Sequence, residues 1–428
     1  MKHLVNKTGR KMLLLISLFL AGCINVNAQN TSYSANTIPI GGTTSAAFGF
    51  GVLSVNTGSS NTAIGFRSLN LNTSGANNTS AGSTALVSNT TGSFNSAFGS
   101  ASLNANTTGS SNTGIGFASL ISNISGNENV ANGFHSLYFN STGDGNTASG
   151  NSSLENNTSG NQNTATGNQT LLFNTTGSNN SATGFLSLTS NTTGNNNTAL
   201  GSISLVNNTT GANNTALGRS ALSWNTTGNN NTAIGDSAGY NNNGNKNVFI
   251  GNFAGYNEFT TSNKLYIANS LSNAILYGDF STGQVLLGKP IPTGYIFKGT
   301  RTLNVLGGII TDSVRVAISS AWADYVFSEN YKLMPLEELY RYIKTNKHLP
   351  NIPTAEEVEK NGIELGEMNA KLLGKIEELH LYILQQQKQM EKQNKLNGQT
   401  QKEMKEQMNK QAKSIDFLLK EVNELRLK

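Results

Sequence analysis

The chain of 428 residues is short of cysteine, of charge and of long apolar runs. A single Cys excludes a disulfide framework and a cysteine-based zinc site. Charged residues make up 12%, about half the usual share of a globular protein. No stretch reaches the eighteen or so apolar residues of a membrane helix. The few charges are also unevenly placed. Residues 31–270 hold four bases (Arg67, Arg219, Lys246, Lys264) and five acids (Glu128, Asp144, Glu155, Asp236, Glu258), against 21 bases and 19 acids in residues 271–428. Two physically different halves are joined, which rules out a single compact domain. The pI near 9.1 owes much to four bases in the first 30 residues, so it is no argument for nucleic-acid binding.

Those four, Lys2, Lys7, Arg10 and Lys11, precede the apolar run Met12–Leu20. A basic stretch followed by about ten apolar residues is a signal peptide, spanning 1–28, and the protein is expected outside the cytoplasm. Two exits compete. Leu20-Ala21-Gly22-Cys23 resembles a bacterial lipobox and would leave a lipidated Cys23 at the cell surface. Val26-Asn27-Ala28 offers ordinary cleavage before Gln29 and a secreted product.

What fills the first half is a repeat. Gly recurs every seventeen residues from 65 to 235, and a second Gly series runs from 58 to 228. Asn recurs from 61 to 231 and, in another series, from 72 to 225; a Leu series runs from 69 to 222. The unit reads N-x-[TS]-G-x-x-N-T-A-x-G-x-x-S-L-x-x, in eleven copies without insertion. Seventeen residues are too few for a helix pair or a propeller blade. Asn, Thr and two Gly per unit disfavour helix. Short strands with Gly corners, one coil per repeat, predict a β-solenoid over 58–270, preceded by a lead-in at 29–57. Alternation along N-T-A-x-G puts Asn and Ala inside, and Thr and the variable residue outside. Eleven coils would span roughly 50 Å. Stacked Asn can hydrogen-bond along the rod, so the Asn columns are read as structural.

Several motif readings fail. The N-x-[ST] matches follow from the repeat unit itself. Calcium-binding repeats need Asp in every turn, and this region has Asp144 and Asp236. The Gly-x-Gly patterns do not join a strand to a helix, so no dinucleotide site follows. His3, His135, His348 and His380 lie in different regions, and no metal or cofactor is expected. The units N-N-N-T-A-I-G-D-S-A-G (229–239) and N-N-T-A-L-G-R-S-A-L (213–222) resemble the head repeats of trimeric autotransporter adhesins. That resemblance covers residues 40–270. It implies β-rolls from three chains side by side, binding a host or matrix surface; the period of seventeen exceeds that family's usual fourteen.

After Asn269 the repeat stops. Short strands are expected at 274–277, 284–287, 303–306, 309–310 and 314–317, forming a β-rich connector over 271–320. A small helical unit at 321–363 follows. One helix starts at Pro335 with Leu336, Leu339, Tyr340 and Ile343 at helical spacing. Another starts at the capping box Thr354-Ala-Glu-Glu357 and stops at Gly362. Residues 364–428 carry a heptad seam through Leu372, Ile376, Leu379, Ile383 and Met390, resuming from Met404 to Leu425 after a slip around Asn397-Gly398. An intermolecular coiled coil and a hairpin of two antiparallel helices both fit. The fold class is therefore mainly β: a solenoid, a small α+β connector and a helical coiled coil.

The segments at 322–332, His348–Pro353 and Gly366–Lys371 are similar to C-terminal domains of bacterial surface and phage tail-fibre-like proteins related to the endosialidase-type intramolecular chaperone. The resemblance implies trimer assembly, and in some members self-cleavage by a Ser–Lys pair. Ser328 and Lys332 are the nearest candidates, with the family's intervening Arg missing. The expected protein is a non-enzymatic, homotrimeric surface fibre, adhesin-like, touching a membrane only through the lipid on Cys23. Its C-terminal sequence has a helical period, unlike the alternating strands of a membrane barrel. The alternatives are a self-cleaving tail-fibre-like protein and an ice-binding solenoid with Thr ladders.

Overall fold

The structure, a computed structural model, describes residues 30–33, 44–271, 274–288, 300–305, 307–316 and 323–427. The signal segment, Cys23 and Ala28 lie outside them. Two compact units divide near residue 309.

The first unit is the solenoid. Strand β1 is Asn30–Tyr33 and β2 is Ser45–Phe48; each later coil adds a strand of three residues, from β3 (Thr62–Ile64) through β13 (Thr232–Ile234) to β14 (Val248–Ile250), and β15 is Lys264–Ala268. All fifteen stack in parallel, each on the one before. Ala63 lies opposite Ser80, seventeen residues on. The coil outlasts that spacing at both ends. Ala47 stands opposite Ala63 and Ala233 opposite Phe249, sixteen residues on in each case. Fifteen coils make a stack of about 65 Å, longer than eleven repeats imply.

Side-chain parity explains the packing. In Thr62-Ala63-Ile64 the Ala is fully buried, while the Thr and Ile face outward, and this recurs coil after coil. Beneath the Ala column lies the Leu column from Leu53 to Leu222, each Leu fully buried. The remaining interior is polar. Both Asn series are buried yet paired. Asn157 Nδ2 donates to Asn140 Oδ1 (2.8 Å) and to Gly160 O (2.9 Å), and Asn163 Nδ2 donates to Asn146 Oδ1 (3.1 Å) and Gly177 O (2.8 Å). Each carboxamide of the Asn157 series thus donates to the preceding coil and closes its own corner. Each of the Asn163 series donates to the preceding coil and to the corner Gly of the following one. This removes most of the penalty of burying them; Asn225 Oδ1, at the end of its ladder, has no donor.

The two Gly series serve different ends. Those of the 65–235 series sit at φ between 121° and 157°, a backbone that disfavours any side chain. Those of the other series are required for space: a Cβ on Gly160 would stand 2.3 Å from Gly177 O and 2.4 Å from Asn157 Oδ1. At the C-terminal end the column sizes exchange. Phe249 and Tyr266 replace Ala, and Gly239 and Gly255 replace Leu, so the stacked rings of Phe249 and Tyr266 (5.6 Å) occupy the vacated volume. Then β16 (Ala274–Asp279) and β17 (Gln284–Leu287) turn antiparallel against β15, and β18 (Leu303–Val305) runs parallel to β17. These connector strands continue the solenoid's own sheet. The strands expected at 309–310 and 314–316 do not form, and Ala317 lies outside the described residues.

The second unit is helical. A 3-10 turn at Ala323–Phe327 is followed by α1 (Leu336–Asn346), α2 (Ala355–Asn361) and α3 (Leu365–Arg426). Helix α2 has the complete Thr354–Glu357 capping box and ends at Gly362. Helix α3 is a single helix of 62 residues, about 90 Å long, and runs unbroken through Asn397 and Gly398. No hairpin forms there.

Candidate functional site

Two surfaces could carry function: the outward faces of the coil and the uncovered side of α3. In each coil the strand shows Thr and the variable residue. The segment after the corner Gly runs over six positions, from Phe66 to Leu71 in one coil, before the chain turns in at Asn72. Sorting residues by their place in the repeat reveals what linear reading missed. Of the 17 aromatics between residues 44 and 263, 12 fall on this one segment. They cluster most densely where Phe117 and Phe134 stack at 5.6 Å, and where Phe134, His135, Tyr138 and Phe139 form a chain of ring contacts. His135 also lies 3.8 Å from Glu155 of the next coil.

Charge is nearly absent from the segment. Arg219 bonds to Asp236 of the following coil at 2.9 Å, and the hydrogen bonds from Ser237 and from Arg219 hold the Asp236 carboxyl below its ordinary range. The Thr column on the third side of the coil is occupied with itself. Thr158 Oγ1 donates to Thr175 O (3.0 Å), and Thr175 Oγ1 to Thr192 O (3.0 Å), so these hydroxyl protons are committed within the stack.

Helix α3 is covered on one side only. Near its N-terminal end Gly374, Glu377 and Tyr382 are buried. Tyr382 donates to Met334 O (2.6 Å), and Tyr331 donates to Glu378 (2.5 Å), which also takes Lys375 (2.7 Å). Burial, reinforced by the Glu378 carboxylate, pushes the Tyr331 phenol well above its usual value and Tyr382 in the same direction. The heptad positions lie on the opposite side. Leu372, Ile376, Leu379 and Ile383 are exposed, and Met408 and Leu425 remain 65% and 74% accessible. Leu339 of α1 and Leu349-Pro350 flank the first heptads, forming with them an apolar groove of about 410 Å³.

Ser328 and Lys332 both lie exposed after the 3-10 turn. The Ser328 amide bonds to Tyr325 O (3.2 Å) and its carbonyl accepts from the Tyr331 amide (3.0 Å). Among the described residues no hydrogen bond joins their side chains. Cys23 is outside the described residues. No protein-family model, no curated protein and no solved structure matches this chain.

Proposed function

We propose that the chain is an exported, non-enzymatic fibrous protein: a homotrimer assembled through α3, carrying the solenoid as an adhesin-like binding head. The observation that supports this reading is the open seam. Beyond the first heptads, which border Leu339 and Leu349-Pro350, the apolar side chains that this 62-residue helix exposes at alternating spacings of three and four have no packing in their own chain. Isolated exposed helices draw most of their stability from tertiary packing, so this one needs partners. A parallel coil would set identical solenoids side by side, and a rod of repeats is suited to repeated weak contacts.

Light scattering on the chain from residue 29, and on a truncation ending at Leu365, tests the reading. Three-fold mass for the first and a lower mass for the second are expected; a full-length monomer ends it. The tail should not cleave itself. Recombinant protein is expected intact on a denaturing gel, and a cut near Ser328 abolished by Ser328→Ala would establish the tail-fibre alternative instead. Export is taken to end at the membrane through a lipid on Cys23, where three chains would supply three anchors. Cys23→Ala should then move the protein from the membrane fraction to the soluble one; wild type already in the medium would favour cleavage after Ala28.

A further inference from the structure

We propose that the aromatic face of the solenoid binds an uncharged linear polysaccharide laid along the coil stack. The inference takes up the binding half of the function proposed above and names its ligand class; it does not depend on assembly.

The first ground is placement. The segment between the corner Gly and the buried Asn is about a third of each coil, yet it carries 12 of 17 aromatics. One column within it reads Phe139, Asn156, Phe173, Ser190, Asn207, Trp224 in consecutive coils. The three rings are 45%, 50% and 53% exposed. They stand two and three coils apart, roughly 10 and 14 Å along the stack. Their backbone is held by the coil-to-coil ladder: Phe139 N donates to Glu155 O (2.8 Å), Phe173 N to Thr189 O (2.9 Å) and Trp224 N to Tyr240 O (2.8 Å). The points from which the rings project are therefore set along the stack before any ligand arrives, which lowers the ordering entropy of binding.

The second ground is chemistry. Between the rings, Asn156 and Asn207 each donate their amide to the backbone of the next coil at 2.9 Å, leaving Oδ1 as an acceptor. Rings alternating with neutral acceptors and hydroxyls match a sugar, which offers a C–H face and a rim of hydroxyls. The negative face of an aromatic ring attracts the C–H side, and amides bond the rim. A polyanion would need a row of cations; this segment has Arg67 and Arg219, and Arg219 is paired with Asp236. A globular protein partner would favour one contiguous apolar core rather than rings interrupted by polar residues.

The test is retention of the full-length chain on insoluble cellulose, chitin and mannan, with heparin and collagen beads alongside. Wild type should be retained on at least one of the three neutral polysaccharides, unaffected by salt. The variant Phe139→Ala/Phe173→Ala/Trp224→Ala should lose about tenfold in affinity per ring, the scale of stacking on a flat partner. The control Phe94→Ala/Phe259→Ala, exposed rings outside the segment, should bind as wild type. Circular dichroism melts of all three proteins separate lost binding from lost fold. No retention on the neutral polysaccharides, retention only on heparin or collagen, or equal loss in both variants overturns the inference. Mass measured in parallel keeps the two readings apart: a monomer that binds removes the assembly, and a trimer that fails to bind removes the polysaccharide.

Discussion

At the scale of single residues, the solenoid interior depends on amides and missing side chains as much as on apolar bulk. Asn157 shows why. Its Nδ2 serves Asn140 Oδ1 and Gly160 O, and its own Oδ1 takes Asn174 Nδ2 at 2.7 Å. Asn157→Ala leaves Asn140 Oδ1 without its donor and takes one acceptor from Asn174 Nδ2, while Gly160 O keeps Asn146 Nδ2 (2.8 Å). The cost is about 1–3 kcal/mol for a group orphaned. We expect a marked fall in melting temperature by circular dichroism; an unchanged melt would mean the ladder is dispensable. Gly255→Ala tests the other device. A Cβ there would lie 2.1 Å from Phe249 Cδ1, at φ +62°. Overpacking of this kind costs about 1–3 kcal/mol. Phe249→Leu in the same chain should restore part of the loss, which a purely conformational penalty at residue 255 would not allow. The columns and their faces were legible because a strict period fixes parity. One feature was not. The Leu column lies at φ between 47° and 53°, a left-handed backbone that Leu alone disfavours. It is held by the stack as well as by its own turn: Leu154 N donates to Thr170 O of the next coil (3.0 Å), a contact that no local propensity encodes, and Leu154 O accepts from Asn157 N within the same coil (3.1 Å).

At the scale of elements, boundaries were less legible than types. Helices α1 and α2 formed where apolar spacing and the capping box placed them. The connector strands expected at 274–277, 284–287 and from 303 formed too, but as the end of the solenoid sheet, because an open coil needs its last edge paired. The pairs at 309–310 and 314–316 carry strand-like residues with nothing in the described chain to pair them. Asn397-Gly398 is weak locally, but one interior Gly costs about 1 kcal/mol, too little to break a long helix. The cap at the solenoid's end carries a titratable lock. Lys264 of β15 bonds to Asp279 of β16 at 2.5 Å. Burial raises the Asp279 carboxyl, but hydrogen bonds from Lys264 and Ser281 outweigh it and hold the group at about 2. The folded value lies below the unfolded one of about 3.9. This contribution is therefore complete above pH 4 and lost as pH falls through about 2. Asp279→Asn should lower the melting temperature at pH 7 and leave it less sensitive to acid between pH 4 and 2. Equal acid sensitivity in both proteins would show that the lock contributes nothing.

At the scale of the whole molecule, the two units stabilise themselves by different means. The solenoid buries its Ala, Leu and Asn columns within one chain, so its core is complete without a partner. The second unit leaves the seam of α3 open. Linkage then separates them. A structure that depends on association gains stability with protein concentration, whereas a self-sufficient core does not. Heating the full-length chain at two concentrations about a hundredfold apart should show two transitions. The one that tracks helix loss should move upward with concentration, and the one that tracks sheet loss should stay in place. Ile376→Asp/Ile383→Asp puts charge on two exposed seam positions and should abolish that dependence while leaving the sheet transition where it was. Association needs those side chains desolvated, and a buried unpaired carboxylate is strongly unfavourable. Two transitions that both shift would mean that the outward strand faces, with Ile64, Phe98 and Leu200, also take part in assembly. Two that both stand still, in wild type as in the variant, would leave the seam without a partner and the fibre without its means of assembly.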